Sequence, residues 1–247
     1  MRALKVLEAL GAAGRPISVL DVAAAIGADR STAYRMLMTL LEAGYVVRDA
    51  SSKNYRLGYR LLSLAGSLLS SNERSERIRA SLRLLADRTG ETVHYCVLDR
   101  DATVLVHKAT GTQLVAVDFN IGDRSPLHCT SIGKAILAYQ DAQTQDDIIR
   151  RGLPKVATNT IVDPERFRME LQRVQRDGYA FDDLEFHDDM RCIAVPVFEK
   201  DGKVSSGISL SGPSSRFTPR KLRQLRDEAL PIASELSRGL GWAGTKF

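Results

Sequence analysis

The chain has 247 residues, of which 44% are hydrophobic and 26% charged, and its formal net charge is +5. This composition is typical of a globular protein and excludes a collagen, a low-complexity disordered chain and a disulfide scaffold. No uncharged apolar run approaches the roughly 18–20 residues that a membrane span needs, so we expect no membrane partner.

The positive charge is concentrated at the N-terminal end of the chain. Residues 1–60 contain 9 Lys and Arg residues against 5 Asp and Glu residues, whereas the remainder is nearly neutral. A basic segment on a neutral body is typical of a module that binds a polyanion. A basic, solvated surface without a partner would have the same composition.

Three helices and a hairpin are predicted in the first 58 residues. Apolar residues at helical spacing form the first helix, which ends before Gly14-Arg15-Pro16. Ser18 and Asp29 are placed to cap the second and third helices, which end at Gly27 and Gly44. Strands at 45–48 and 55–57 flank a polar turn. This order predicts a winged helix-turn-helix over residues 1–58.

The third helix has the polar face that a DNA-recognition helix needs. A helix fits the major groove, where its N-terminal exposed side chains reach base edges while the hairpin meets phosphates or the adjacent minor groove. The candidate DNA-binding residues are Ser31, Thr32, Tyr34 and Arg35 on the helix and Arg48 and Lys53 at the hairpin. Taken singly, each of them would also be ordinary on a protein surface that binds nothing.

A connecting helix is predicted over residues 59–73. Its apolar stripe contains Leu61, Leu64 and Leu68, and it would be exposed unless a second copy of the helix covered it. We therefore expect a homodimer or a dimer of dimers.

Residues 74–247 are predicted to form a second domain of mixed helices and antiparallel strands. Asp201-Gly202 joins two strands and is a strong hairpin signal. The class is therefore α+β and not a doubly wound parallel sheet. Strands are expected at 93–98, 104–107, 114–117, 192–198 and 204–210, and helices around 78–85, 133–139, 142–150, 164–176 and after Pro219.

Several motifs resemble the IclR-type bacterial transcriptional regulators along essentially the whole chain. They are Asp21-Val22-Ala23, Ser31-Thr32-Ala33-Tyr34-Arg35-Met36-Leu37, Leu41-Glu42-Ala43-Gly44-Tyr45-Val46, Pro126-Leu127-His128-Cys129-Thr130-Ser131-Ile132-Gly133-Lys134-Ala135, Arg191-Cys192-Ile193-Ala194-Val195-Pro196-Val197 and Ser209-Leu210-Ser211-Gly212-Pro213. The resemblance implies a cytoplasmic, ligand-responsive repressor or activator that is not an enzyme, and we expect a repressor of a catabolic operon. It implies a GAF-like second domain that binds a small organic acid or a polar analogue, double-stranded operator DNA as partner, and no cofactor.

The same resemblance implies an effector pocket. The matching positions are Ser131, Ile132, Asp182, Met190, Cys192, Ser209 and Ser211. Unpaired N–H groups at a helix start independently favour an anionic ligand group near Ser131 and Ile132. We expect Asp182 to accept a hydrogen bond from a hydroxyl group at the other end of the ligand.

Other interpretations of the polar residues remain open. Cys192 with His187 or His128 would suit nucleophilic catalysis, and His94, Cys96, His128 and Cys129 would suit a metal site, but neither set has a recognised spacing. A thiol or redox sensor that uses Cys129 and Cys192 is the alternative function. Three cysteines without Cys-x-x-Cys spacing fit a reducing cytoplasm.

Overall fold

The computed structural model describes residues 2–68, 73–117 and 119–244. The chain divides into two compact units, Met1–Ser70 and Ser71–Phe247. In the described ranges, every helix is too short or too polar to span a bilayer.

The N-terminal unit is a winged helix-turn-helix. Ser18 and Asp21 form a reciprocal capping box at the start of the second helix, and Gly27 ends that helix at φ 62°. A buried apolar cluster joins the helices to the hairpin and includes Val6, Leu37 and Tyr55. Its elements are α1 (Arg2–Ala13), α2 (Val19–Ile26), α3 (Arg30–Glu42), β1 (Val46–Arg48), β2 (Tyr55–Leu57) and α4 (Arg60–Leu68).

Helix α4 corresponds to the predicted connecting helix. Leu62 and Leu64 are exposed on it, with 67% and 52% of their surface accessible. Residues 69–72 of the prediction and the side chain of Leu68 lie outside the described residues. Glu73, predicted as the last residue of this helix, is instead the first residue of the next one.

The C-terminal unit is α+β, as the sequence predicts. Its elements are α5 (Glu73–Thr89), β3 (Val93–Asp99), β4 (Ala102–Ala109), β5 (Arg124–Pro126), α6 (Ser131–Leu137), α7 (Ala142–Arg150), α8 (Pro164–Asp177), β6 (Ala180–Asp183), β7 (Met190–Phe198), β8 (Val204–Pro213) and α9 (Pro219–Gly239).

These strands form an antiparallel sheet with helices on both faces. Within the described residues the strand order is β5-β4-β3-β8-β7-β6. Helices α5 and α9 cover one face through a core that contains Tyr95, Ile193 and Leu225. Helices α6 and α8 cover the other face through Ile132 and Phe167. The candidate ligand residues lie on this second face.

The strand predicted at 114–117 is wrong. Leu114 and Val115 are exposed in a loop, and the carbonyl of Val115 accepts a hydrogen bond from Arg216 at 2.8 Å instead of a strand partner. Two short strands, β5 and β6, were not predicted. Each has only three or four residues, so neither produces a measurable alternation in the sequence.

Candidate functional site

The N-terminus of α3 is organised by Asp29. The Asp29 carboxylate accepts hydrogen bonds from Ser31 Oγ at 2.8 Å, from Thr32 N at 2.9 Å and from Thr32 Oγ1 at 2.7 Å. These bonds hold the pKa of Asp29 well below its usual range. Because both hydroxyl protons are used within the cap, Ser31 and Thr32 retain only acceptor capacity towards another molecule. Tyr34 and Arg35 extend from the exposed face of the same helix.

The hairpin carries Arg48 and Lys53 at its exposed tip. Asp49 fixes the turn by accepting bonds from Ser51 and Ser52, and Lys53 adopts a left-handed conformation with φ 57°. Arg48 Nε donates to the carbonyl of Lys53 at 3.1 Å, so the Arg48 side chain is held against the backbone of the turn. This arrangement suits contact with a phosphate backbone.

Two further arginines in this unit were not singled out from the sequence. Arg30 is the first residue of α3 and is exposed beside the candidate base-reading residues; its position directly after the cap was an available signal. Arg60 stacks on Tyr45 and donates to the carbonyl of Ala43 at 2.9 Å, so it ties α4 to the end of α3. Only the tertiary structure reveals this second role.

Helix α6 begins against the loop that precedes it. Thr130 caps the helix by accepting a hydrogen bond from Gly133 N at 3.1 Å and donates to the carbonyl of Pro126 at 2.7 Å. A Cβ on Gly133 would lie 2.5 Å from the backbone of Leu127, so only glycine allows this approach. The first turn, with Ser131 and Ile132, is thereby held against the segment that precedes it.

The register of the sheet brings polar side chains from different strands close together. Asp182 pairs with Cys192 across β6 and β7, and Cys192 pairs with Ser211 across β7 and β8. One row further along, Ser209 pairs with His94 on β3. Side chains two residues apart on a strand share a face, so these rows lie on the face that α6 covers.

All seven effector-binding candidates line one cavity on this face. The structure gives the cavity a volume of about 40 Å³. Residues that the sequence motifs did not assign to the pocket complete the wall. The candidates are Ser131, Ile132, Asp182, Met190, Cys192, Ser209 and Ser211; the others include His94, Cys96, Leu105, Phe119, Asp123, Ser125, Thr130 and Phe186.

Asp182 is a buried carboxyl group in the cavity wall. Its side chain is fully buried, and Oδ1 accepts hydrogen bonds from the backbone N–H groups of Glu185 at 2.8 Å and Phe186 at 3.3 Å. Among the described residues, Oδ2 has no hydrogen-bond partner. Burial raises the pKa of Asp182 to about 7, although the two N–H groups oppose the shift.

The thiols of the cavity region are not activated. Cys96, Cys129 and Cys192 are buried, and burial raises the pKa of Cys96 and Cys129 to about 12 and that of Cys192 well above its usual value. A reactive thiol needs the opposite shift. These observations disfavour the thiol-sensor alternative.

Two of the histidines contact the backbone. His128 bonds to the carbonyl of Pro154 at 2.9 Å, and the ring of His187 accepts from the N–H of Asp189. The described ranges hold no cluster of three or more His, Cys, Asp or Glu side chains arranged to bind a metal ion.

Two family models match the chain. The model described as "Bacterial transcriptional regulator IclR C-terminal" matches residues 67–238, and the "IclR helix-turn-helix domain" matches residues 1–50. Together they include both structural units.

Individual relatives agree with these matches. The chain is 32% identical to the HTH-type transcriptional regulator KdgR of Escherichia coli (strain K12) over 100% of its own length and 94% of the relative. The Thermotoga maritima IclR structure matches with a TM-score of 0.81 and 29% identity over 97% of each chain. An IclR homologue from Microbacterium hydrocarbonoxydans, solved in complex with 4-hydroxybenzoate, shares the fold with a TM-score of 0.80 and 23% identity over 96% of this chain and 98% of that one.

Proposed function

Because the chain belongs to the IclR family of bacterial transcriptional regulators, we propose that it is an effector-responsive repressor of a catabolic operon that acts in the cytoplasm. The N-terminal unit binds operator DNA, and the cavity of the C-terminal unit binds a small organic acid or a polar analogue. Effector binding changes the affinity for the operator, which makes this a coupling between two distinct sites.

One observation is the main support for the proposal that the C-terminal unit binds an effector. Seven residues that are far apart in the chain, from Ser131 to Ser211, meet around one cavity. Polar groups converge there within an otherwise apolar face, which is typical of small-molecule sites. Hydroxyl groups at Ser209 and Ser211 and the backbone N–H groups of Ser131 and Ile132 supply donors for an oxygen-rich ligand.

The size of the cavity limits the ligand. At about 40 Å³ it has room for only a few water molecules in the present arrangement of side chains. A ligand of several heavy atoms therefore requires side chains of the wall to move. The relative from Microbacterium hydrocarbonoxydans binds a small aromatic acid, which supports the same chemical class for this chain.

Assembly through α4 supports the DNA-binding half. Leu62 and Leu64 are exposed on a helix that follows the DNA-binding elements. We propose that two copies pair along this helix, which places two winged modules on a near-palindromic operator. A dimer of such dimers forms the tetrameric alternative.

The experiment is a thermal-shift screen of small carboxylic acids that includes 4-hydroxybenzoate, followed by operator binding with each acid that stabilises the protein. A stabilising acid is expected to change operator affinity, and the double variant Asp182→Ala/Ser209→Ala is expected to bind it at least about tenfold more weakly, because each unpaired polar partner costs about 1–3 kcal/mol. The matched control is Asp183→Ala/Ser215→Ala, in which both side chains are exposed. Equal affinity in the two double variants places the effector elsewhere.

A further inference from the structure

Three carboxyl groups and two cations form a buried cluster beside the cavity. Lys134 Nζ lies 2.5 Å from Glu185 Oε1 and 3.0 Å from Glu170 Oε1, and 1% of the lysine side chain is exposed. Arg173 contacts both oxygens of Glu170 at 2.8 and 2.9 Å. Asp182 joins the cluster because its Oδ1 accepts the N–H of Glu185. Arg173 also pairs with Asp177, and Asp177 pairs in turn with Arg176. With these two groups included, the contacts still join one more carboxyl group than cations.

The hydrogen bonds are distributed unequally among the three carboxyl groups. Both oxygens of Glu170 have charged donors, which keep its pKa below its usual value despite burial. Glu185 and Asp182 each have one buried oxygen, Oε2 and Oδ2, for which the described part of the chain supplies no hydrogen-bond partner. A buried ionised oxygen without a donor is costly, whereas a neutral carboxylic acid removes most of that cost.

Between these two groups, Asp182 is the better proton acceptor. The carboxylate of Glu185 accepts a hydrogen bond from the Lys134 ammonium group at 2.5 Å, whereas the donors to Asp182 Oδ1 are backbone N–H groups. Burial raises the pKa of both groups, and the nearby Glu185 adds to the shift at Asp182 while Lys134 opposes it. The other titratable groups around Asp182 are the thiol of Cys129 before α6, the thiol of Cys192 on β7, which forms a side-chain hydrogen bond with Asp182, and His94 and Asp123 in the same cavity wall.

We propose that Asp182 carries a proton in the folded protein near neutral pH and presents it to the cavity as a hydrogen-bond donor, so that the site recognises the acceptor oxygen of a carboxylate or carbonyl group. This reverses the direction of the hydrogen bond expected from the sequence. The ligand half of the inference rests on the proposed function, whereas the proton is a property of the protein alone. The protonated carboxyl group and the serine hydroxyl groups would then all offer hydrogen-bond donors to a ligand in the cavity.

The protonation of Asp182 in the folded state is tested by measuring how the stability of the full-length protein depends on pH. A carboxyl group in the unfolded chain has a pKa of about 3.9, so between about pH 4 and pH 7 the folded state binds one more proton than the unfolded state. Stability then falls as pH rises through this window: relative to Asp182→Asn, the wild-type unfolding constant rises by up to about tenfold per pH unit. The control Asp189→Asn, at an exposed position in the turn before β7, is expected to follow the wild type.

Parallel slopes for the wild type and Asp182→Asn would overturn the proposal. Should Asp182→Asn fail to fold, infrared spectra of wild-type protein labelled with [4-¹³C]aspartate provide the second measurement. The carbonyl stretch of one protonated carboxylic acid is expected at pH 6 and is expected to vanish at pH 8.5. Its absence at pH 6 contradicts the protonated state.

The donor role is tested with the carboxylic acids that stabilise the wild type in the thermal-shift screen. Their affinity is expected to fall by up to about tenfold per pH unit above pH 7 as Asp182 ionises. Asp182→Asn, whose amide is also a donor, is expected to bind them with an affinity that does not change between pH 6 and pH 8. A screen in which no acid binds overturns the donor role together with the proposed function. Acid binding combined with parallel stability slopes for the wild type and Asp182→Asn overturns the protonated state and the donor role, but leaves the proposed function standing.

Discussion

Lys134 and Glu185 form a buried ion pair, with Nζ 2.5 Å from Oε1, and less than a tenth of either side chain is exposed. Lys134 belongs to the first turns of α6, whereas Glu185 follows β6. The pair therefore joins the helix that covers the cavity to the edge of the sheet.

Removal of the lysine charge is expected to be strongly destabilising. Lys134→Met leaves Glu185 and Glu170 buried with less compensation, and breaking a buried pair from one side typically costs about 3–5 kcal/mol. Urea unfolding at pH 7.5 measures the loss. The double variant Lys134→Met/Glu185→Leu is expected to regain part of the stability because one uncompensated carboxylate is removed; equal stability of the single and double variants would contradict the role of this pair.

Arg35 is expected to contribute to operator affinity. Arg35→Ala removes an exposed guanidinium from α3, which should cost about 1–3 kcal/mol of binding and relax the preference at one base position if the side chain reads a base. Footprinting and mobility shifts on the operator measure both effects. Arg223→Ala, a matched loss of an exposed arginine on α9, should leave binding unchanged. Equal losses in the two variants would show a general charge effect only.

Lys53 at the hairpin tip is expected to contact the phosphate backbone of the DNA. Lys53→Ala should weaken binding to all DNA sequences by a similar factor and lower the slope of log affinity against log salt by about 1. Titrations over a range of salt concentrations provide the slope. An unchanged slope with weaker binding would instead point to a disturbed hairpin, because Lys53 has the left-handed φ of 57°.

Leu64 is expected to support self-association. Leu64→Glu places a charge in the exposed apolar stripe of α4 and should shift the protein towards the monomer in sedimentation at micromolar concentration. Ser63→Glu adds the same charge on another side of the helix and should have a smaller effect. A wild-type protein that sediments as a monomer would remove the proposed pairing and make symmetric operator recognition hard to sustain.

The thiols are expected to be inert in the folded protein. With a pKa raised to about 12, Cys96 and Cys129 would be ionised at pH 8 in about one molecule in ten thousand, and burial adds a steric barrier. Ellman's reagent should therefore react slowly until urea unfolds the chain, and mild oxidant should leave operator affinity unchanged. Rapid reaction of one thiol with loss of DNA binding would restore the redox alternative.

Local chemistry made much of the fold predictable. The caps at Ser18 and Asp29, the glycine stops and the Asp201-Gly202 hairpin each depend on residues that are close in the chain, so their geometry follows from sequence alone. Apolar periodicity then located the long helices. The family's motifs, which are read from the sequence, also predicted that seven residues distant in the chain line one pocket.

The tertiary structure decided what depends on pairing between distant segments. The short strands β5 and β6 exist because neighbouring strands complete their hydrogen bonds, and residues 114–117 lack such a partner strand despite a suitable composition. The same holds for Asp182: strand register places it opposite Cys192. Its proton affinity depends on burial and on Lys134 and Glu185 nearby. A carboxyl group's charge is set by its surroundings, and those surroundings are assembled only when the sheet and α6 pack together.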